Sequence, residues 1–160
     1  MNVTSRYGAS NYQITNYGLA GLVETHLDPW GYETGVDLNF NRRELVTSGD
    51  YIATFMGWLK NVPAGGGTGF DFLNYQGLIQ PRKGSTAFWI DLTASHERDY
   101  RAIHGGCPVI KGSKWILNKW IYSFEQWKHW PCGRNEMDEI LPFSGITDPP
   151  PPSYHYGAPF

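Results

Sequence analysis

The chain is 160 residues long, 41% apolar, 16% aromatic and 18% charged, with a formal net charge of −2 at pH 7. That length suits one domain able to bury roughly 70% of its unfolded surface, its charge balance gives no general attraction for nucleic acid, and no run approaches the ~18 apolar residues of a membrane helix. With 25 aromatic residues (7 Trp, 10 Tyr, 8 Phe), 19 Gly and 11 Pro, the composition favours strands joined by turns over a helical bundle.

Alternating and aromatic runs predict strands at residues 12–17, 51–59, 86–92, 108–110 and 114–122. Gly65-Gly66-Gly67, Pro81-Arg82-Lys83-Gly84 and Gly105-Gly106 read as the breaks between them, the rhythm of an antiparallel sandwich or barrel. A short helix is expected around residues 41–47. From Gly133 the composition changes, ending in four successive prolines, Pro149 to Pro152, so residues 145–160 are expected to form an extended tail after a domain at 1–144. Within residues 111–134, Lys111, Lys114, Lys119, Lys128 and Arg134 face a single acid, Glu125. Such a stretch is either a solvated face or an anion-binding site.

The candidate chemistry starts at His26-Leu27-Asp28, which places an imidazole and a carboxylate on one face of a strand. A lone H-x-D triplet is a weak motif. It gains weight from a third candidate ligand in Ile103-His104-Gly105-Gly106-Cys107-Pro108. Two His and one carboxylate can cap a face of Fe(II) and leave positions open for a cosubstrate and O2; Zn with a water is the rival. Ten residues on, Lys114 opens an apolar run. Pointing inward it would need an anionic partner, such as the far carboxylate of a metal-bound dicarboxylate; pointing outward it is an ordinary strand lysine. Trp89 and Trp115 are expected in the core, Trp120 near a substrate groove, and Trp127 and Trp130 over the barrel end.

The string His104-Gly-Gly-Cys-Pro-Val-Ile-Lys-Gly-Ser-Lys114-Trp-Ile-Leu-Asn118-Lys-Trp120-Ile resembles the C-terminal signature of animal prolyl 4-hydroxylase α subunits. Asn16-Tyr17-Gly18 with Glu24-Thr25-His26-Leu27-Asp28 is similar to that family's first iron segment. Ile52-Ala53-Thr54, Ala64 to Phe70, Pro81 to Gly84, Phe88-Trp89 and Asp99-Tyr100 match later segments in the same order, covering residues 12–132. The resemblance implies an all-β double-stranded β-helix, a jelly-roll or cupin-like core with little helix, in an N-terminally truncated form of the family's catalytic domain. It implies iron on His26, Asp28 and His104, with Lys114, Thr68 and Trp58 holding 2-oxoglutarate. Trp58 stands where relatives carry a Tyr, and its indole N–H can still donate. Trp120 would lie by the substrate.

The implied reaction hydroxylates peptidyl proline in collagen-like X-Pro-Gly sequences and decarboxylates 2-oxoglutarate to succinate and CO2, with ascorbate keeping the iron reduced. A Cys107–Cys132 disulfide, the lumen of the endoplasmic reticulum and protein disulfide isomerase as partner follow from the same resemblance. Val23 and Ile103 replace the family's Tyr and Arg beside the two histidines. Two other classes stay open at this point: a homologue that keeps the fold as a binding or scaffolding module, and a metal-free aromatic β-sandwich that binds sugars.

Overall fold

A computed structural model describes residues 8–29, 47–71, 77–124, 126 and 132–136. The expected tail at 145–160, most of the expected helix at 41–47, and Trp127 and Trp130 lie outside these residues. Nine strands are described: β1 Gln13–Tyr17, β2 Val23–His26, β3 Tyr51–Trp58, β4 Ala64–Gly65, β5 Thr68–Phe70, β6 Thr86–Ile90, β7 His104–Gly106, β8 Val109–Lys111 and β9 Lys114–Tyr122. They form a four-stranded sheet in the order β1-β9-β3-β6, a three-stranded sheet β2-β7-β5 and a two-stranded pair β4-β8. Every pairing is antiparallel, and the fold is a double-stranded β-helix, as expected.

The larger sheet is organised by β9, which pairs with β1 on one side and β3 on the other. Alternation along β9 decides what points where. Lys114, Ile116, Asn118 and Trp120 line one interior cavity, so Trp115 must face outward, and it is 39% exposed. The expectation of a core Trp115 is therefore corrected: its neighbour Lys114 takes the inward position. Trp89 does pack against the cluster of Met56, Trp58 and Ile116. A second cluster, Ile52, Ala53, Leu92 and Ile121, closes the other end of the sheet.

Two glycine segments read as breaks prove to be strand or strand margin. Gly105 and Gly106 belong to β7, which sits between β2 and β5. A Cβ on Gly105 would come 3.2 Å from both Thr25 Cγ2 and the Val23 carbonyl oxygen, so glycine is there to admit a neighbouring strand. Gly65 ends β4 with φ +73, and a Cβ on it would collide with the Pro108 carbonyl oxygen and lie 2.7 Å from the Ile110 amide nitrogen. Gly65→Ala is expected to cost about 2 kcal/mol or more, from the left-handed backbone and the clash together. Gly84→Ala, with φ +82 but nothing within 4 Å, should cost only the backbone part, about 1–2 kcal/mol. Thermal unfolding of the two variants side by side checks both values.

Candidate active site

β2 and β7 carry the two histidines into register, His26 opposite His104. Their rings lie 4.5 Å apart, centroid to centroid. His26 Nδ1 sits 2.8 Å from the Glu24 carbonyl oxygen and His104 Nδ1 2.9 Å from that of Ala102. A carbonyl only accepts, so each Nδ1 carries the ring proton and each Nε2 presents a lone pair. Both lone pairs turn toward Asp28: His26 Nε2 is 3.5 Å from Oδ1 and His104 Nε2 3.9 Å from Oδ2. The ligand atoms of the three residues all lie within 4.8 Å of one another. Three converging acceptors with no proton between them repel unless a cation is shared. Two imidazoles and a carboxylate fit a first-row divalent metal, and the main-chain carbonyls behind the rings fix both tautomers for that role.

Electrostatics follow from the placement. Burial pushes the Asp28 carboxyl up, but the His26 ring, which can donate to it once protonated, the nearby His104 and the Thr54 hydroxyl outweigh it and hold the group below its ordinary range. Asp28 in turn raises His26, mainly because it can accept a hydrogen bond from the protonated ring. His104 is only 7% exposed, and burial lowers its pKa against the pull of Asp28. It packs against the rings of Phe70 and Trp89 at 5.5 and 4.8 Å.

The same cavity, about 220 Å³, extends past the triad to Lys114 and is walled by Tyr17, Met56, Trp89 and Ile116. Lys114 is 4% exposed and donates to Thr68 Oγ1 at 3.1 Å. No carboxylate among the described residues pairs with it, and burial lowers its pKa to about 8. Lys114 therefore points inward, the sharper of the two orientations considered. Asn118 Oδ1 and Trp120 Nε1 are buried in the cavity wall without a partner, leaving an acceptor and a donor for a bound ligand. Trp120 itself is held by stacking on Tyr51 at 5.4 Å. A second, more open groove of about 470 Å³ runs past the other side of His26, lined by Thr25, Pro29, Asp71, Arg98, Tyr100 and Ile103.

Two expectations are not met by the geometry. Trp58 does not line the cavity: it is 1% exposed, packed against Met56 and Ile116, with its Nε1 unpartnered. The aromatic residue beside Lys114 is Tyr17, whose ring centre lies 5.6 Å from Nζ. Asn16-Tyr17-Gly18 was the signal for it. Cys107 and Cys132 are both free thiols, so the expected bridge is not formed. The two are anchored to different partners, Cys107 N–H on the Gly67 carbonyl and the Gly133 N–H on that of Ala94, while Cys132 Sγ turns to the Gly133 carbonyl oxygen.

With triad and lysine in one cavity, the chain can be compared with known proteins. No protein-family model matches it. It is 38% identical over 130 residues to chicken (Gallus gallus) prolyl 4-hydroxylase subunit alpha-2, covering 79% of this chain and 22% of that one. The mouse (Mus musculus) subunit alpha-3 is also 38% identical over 130 residues, covering 81% and 22%, and the rat (Rattus norvegicus) subunit alpha-1 matches at 38% over 81% and 23%. The chain thus spans about a fifth of the length of these relatives. Its fold is similar to the viral collagen prolyl hydroxylase of Paramecium bursaria Chlorella virus-1 in its 2OG complex, with a TM-score of 0.52 and 24% identity over 73% of this chain and 63% of that one.

Proposed function

We propose that this chain, a homologue of the prolyl 4-hydroxylase α subunits, is an Fe(II)- and 2-oxoglutarate-dependent hydroxylase of peptidyl proline, with collagen-like, proline-rich peptide as its substrate class. The observation that carries this is the joint placement of three metal-directed donors and a buried, carboxylate-free lysine in one cavity. His26, Asp28 and His104 would hold the iron. When bound with 2-oxoglutarate and O2, the iron supplies the oxidising power that puts oxygen on proline C4 and splits the cosubstrate into succinate and CO2.

The rest is the work of the chain's own residues. Lys114, supported by the Thr68 hydroxyl, receives the distal carboxylate of 2-oxoglutarate and sets its direction toward the triad. Tyr17, Met56, Trp89 and Ile116 keep water from the reacting atoms. The groove past Tyr100 and Arg98 gives a peptide access to the exposed edge of His26. Trp120 and Asn118 offer hydrogen-bonding groups from the opposite wall. A scaffold that retained only the fold has no use for a buried ammonium without a carboxylate partner, which lowers stability. By kinship, ascorbate is the reductant, the endoplasmic reticulum the compartment and protein disulfide isomerase the partner to test.

Turnover decides the matter. The chain with Fe(II), ascorbate and a (Pro-Pro-Gly)-repeat peptide should convert 2-oxoglutarate to succinate and yield hydroxyproline in the peptide. Absence of succinate from iron-loaded protein would remove the enzymatic reading; succinate without hydroxyproline would remove the peptide assignment alone.

A further inference from the structure

Thr54, on β3, is 1% exposed and stands between two carboxyl groups. Its Oγ1 lies 2.6 Å from Asp28 Oδ2 and 2.7 Å from Asp91 Oδ2. A hydroxyl has one proton and can donate to only one of them. The other contact would then set two oxygen lone pairs against each other at hydrogen-bond distance, out of reach of water, unless a carboxyl proton fills it. One of the two acids therefore donates. Asp28 is the poorer candidate, because as a ligand in the triad with His26 and His104 it must be ionised to hold a metal. Asp91 is 0% exposed, its Oδ1 has no hydrogen-bond partner, and no cation among the described residues pairs with it. An ionised carboxylate there would have only the Thr54 hydroxyl and the nearby Trp89 indole to offset its desolvation. Burial first, and then the charge of Asp28, push the Asp91 carboxyl well above its ordinary range, in the same direction as the geometry.

We infer that Asp91 is a positioning residue of the metal site, a neutral acid that donates to Thr54 Oγ1 and so commits the Thr54 proton to Asp28 Oδ2. The chain of bonds runs Asp91 O–H to Thr54, then Thr54 O–H to Asp28. Its effect is to fix the rotation of the Asp28 carboxylate and to keep that group ionised beside His26 and His104. Asp91 touches neither substrate nor ligand atom; it acts through Thr54. The inference rests on reading His26, Asp28 and His104 as the metal ligands.

Co(II) titration of the full chain, followed by the visible absorption of the bound ion, separates the possibilities. Asp91→Asn keeps a donor of the same shape and should bind Co(II) within about threefold of the parent, whereas Asp91→Ala and Thr54→Val should each weaken it about 10- to 100-fold, and Thr54→Ser should restore it. Infrared spectroscopy of the metal-free parent should show a protonated carboxyl C=O stretch that Asp91→Asn removes. Melting curves without metal show whether each variant folds; if Asp91→Ala does not, Thr54→Val and the infrared band decide. An absent acid band, or an Asp91→Asn variant as impaired as Thr54→Val, overturns the inference. If His104→Ala binds Co(II) as well as the parent, the metal-site reading itself fails. If His104→Ala loses Co(II) while Thr54→Val keeps it, only the role of Asp91 falls.

Discussion

His104→Ala is expected to abolish 2-oxoglutarate turnover and to lower divalent-metal affinity by about 100-fold or more, at the upper end of what even supporting residues of metal sites contribute. The residue is one of three donors, and the remaining pair, the exposed His26 and the half-buried Asp28, sits at and just beyond the end of β2. Because His104 also packs between Phe70 and Trp89, the alanine variant leaves a cavity worth about 2 kcal/mol of stability or more. His104→Gln fills most of that space, so a melting point near the parent's combined with lost metal binding isolates ligation from packing. The pH dependence carries a second signature. A proton on His26 Nε2 competes with the metal, and Asp28 raises the pKa of that imidazole above its ordinary value. Metal affinity in the parent should hold at neutral pH and decline on acidification from a higher pH than a free imidazole would give. Isothermal titration across pH 5 to 8 reads this directly; an affinity that rises toward acid pH would contradict the assignment.

How legible the molecule was depended on the physical signal each feature leaves. Strands β1, β3, β6, β8 and β9 announce themselves through alternation and aromatic content, and the structure places them within two residues of the expected bounds. β7 was hidden because two of its three residues are glycine, whose presence reports the closeness of β2 rather than a turn. The triad was readable because H-x-D and His104 carry recognisable chemistry, and Lys114 because an isolated cation heads an apolar run. Trp58 and Tyr17 could not be ranked by spacing, since each ends its strand on the inward-facing alternation; only the packing shows that Trp58 is absorbed by the Met56 and Ile116 cluster while Tyr17 reaches the lysine. Asp91 left no trace at all. An acid after Phe88-Trp89-Ile90 reads as the polar end of a strand, and its proximity to Thr54 arises from register between β3 and β6 and the backbone bond from Asp91 N–H to Ile52.

Lys114→Met should weaken 2-oxoglutarate binding by about 100-fold or more, the scale of removing one partner from a buried charge pair, and should at the same time stabilise the ligand-free chain. Both follow from one fact. Burial lowers the Lys114 pKa from 10.5 to about 8, a difference on the order of 3 kcal/mol disfavouring the charged form in the folded state. The sign is fixed by linkage: the penalty is fully present below pH 8, shrinks as pH rises toward 10.5, and vanishes above it. Replacing the ammonium with a thioether of similar length removes that penalty, so at pH 7 the variant should gain about 1–3 kcal/mol in chemical denaturation. Binding responds in the opposite direction. The distal carboxylate needs the ammonium, so the parent should lose affinity about tenfold per pH unit above pH 8, while the weak binding of Lys114→Met stays flat over the same range. Anaerobic titration of 2-oxoglutarate into Co(II)-loaded parent and variant, paired with urea unfolding of the metal-free proteins, measures both arms. Undiminished affinity in the variant would detach Lys114 from the cosubstrate, and a destabilised variant would mean that Thr68 and the ring of Tyr17 already compensate the charge without any ligand.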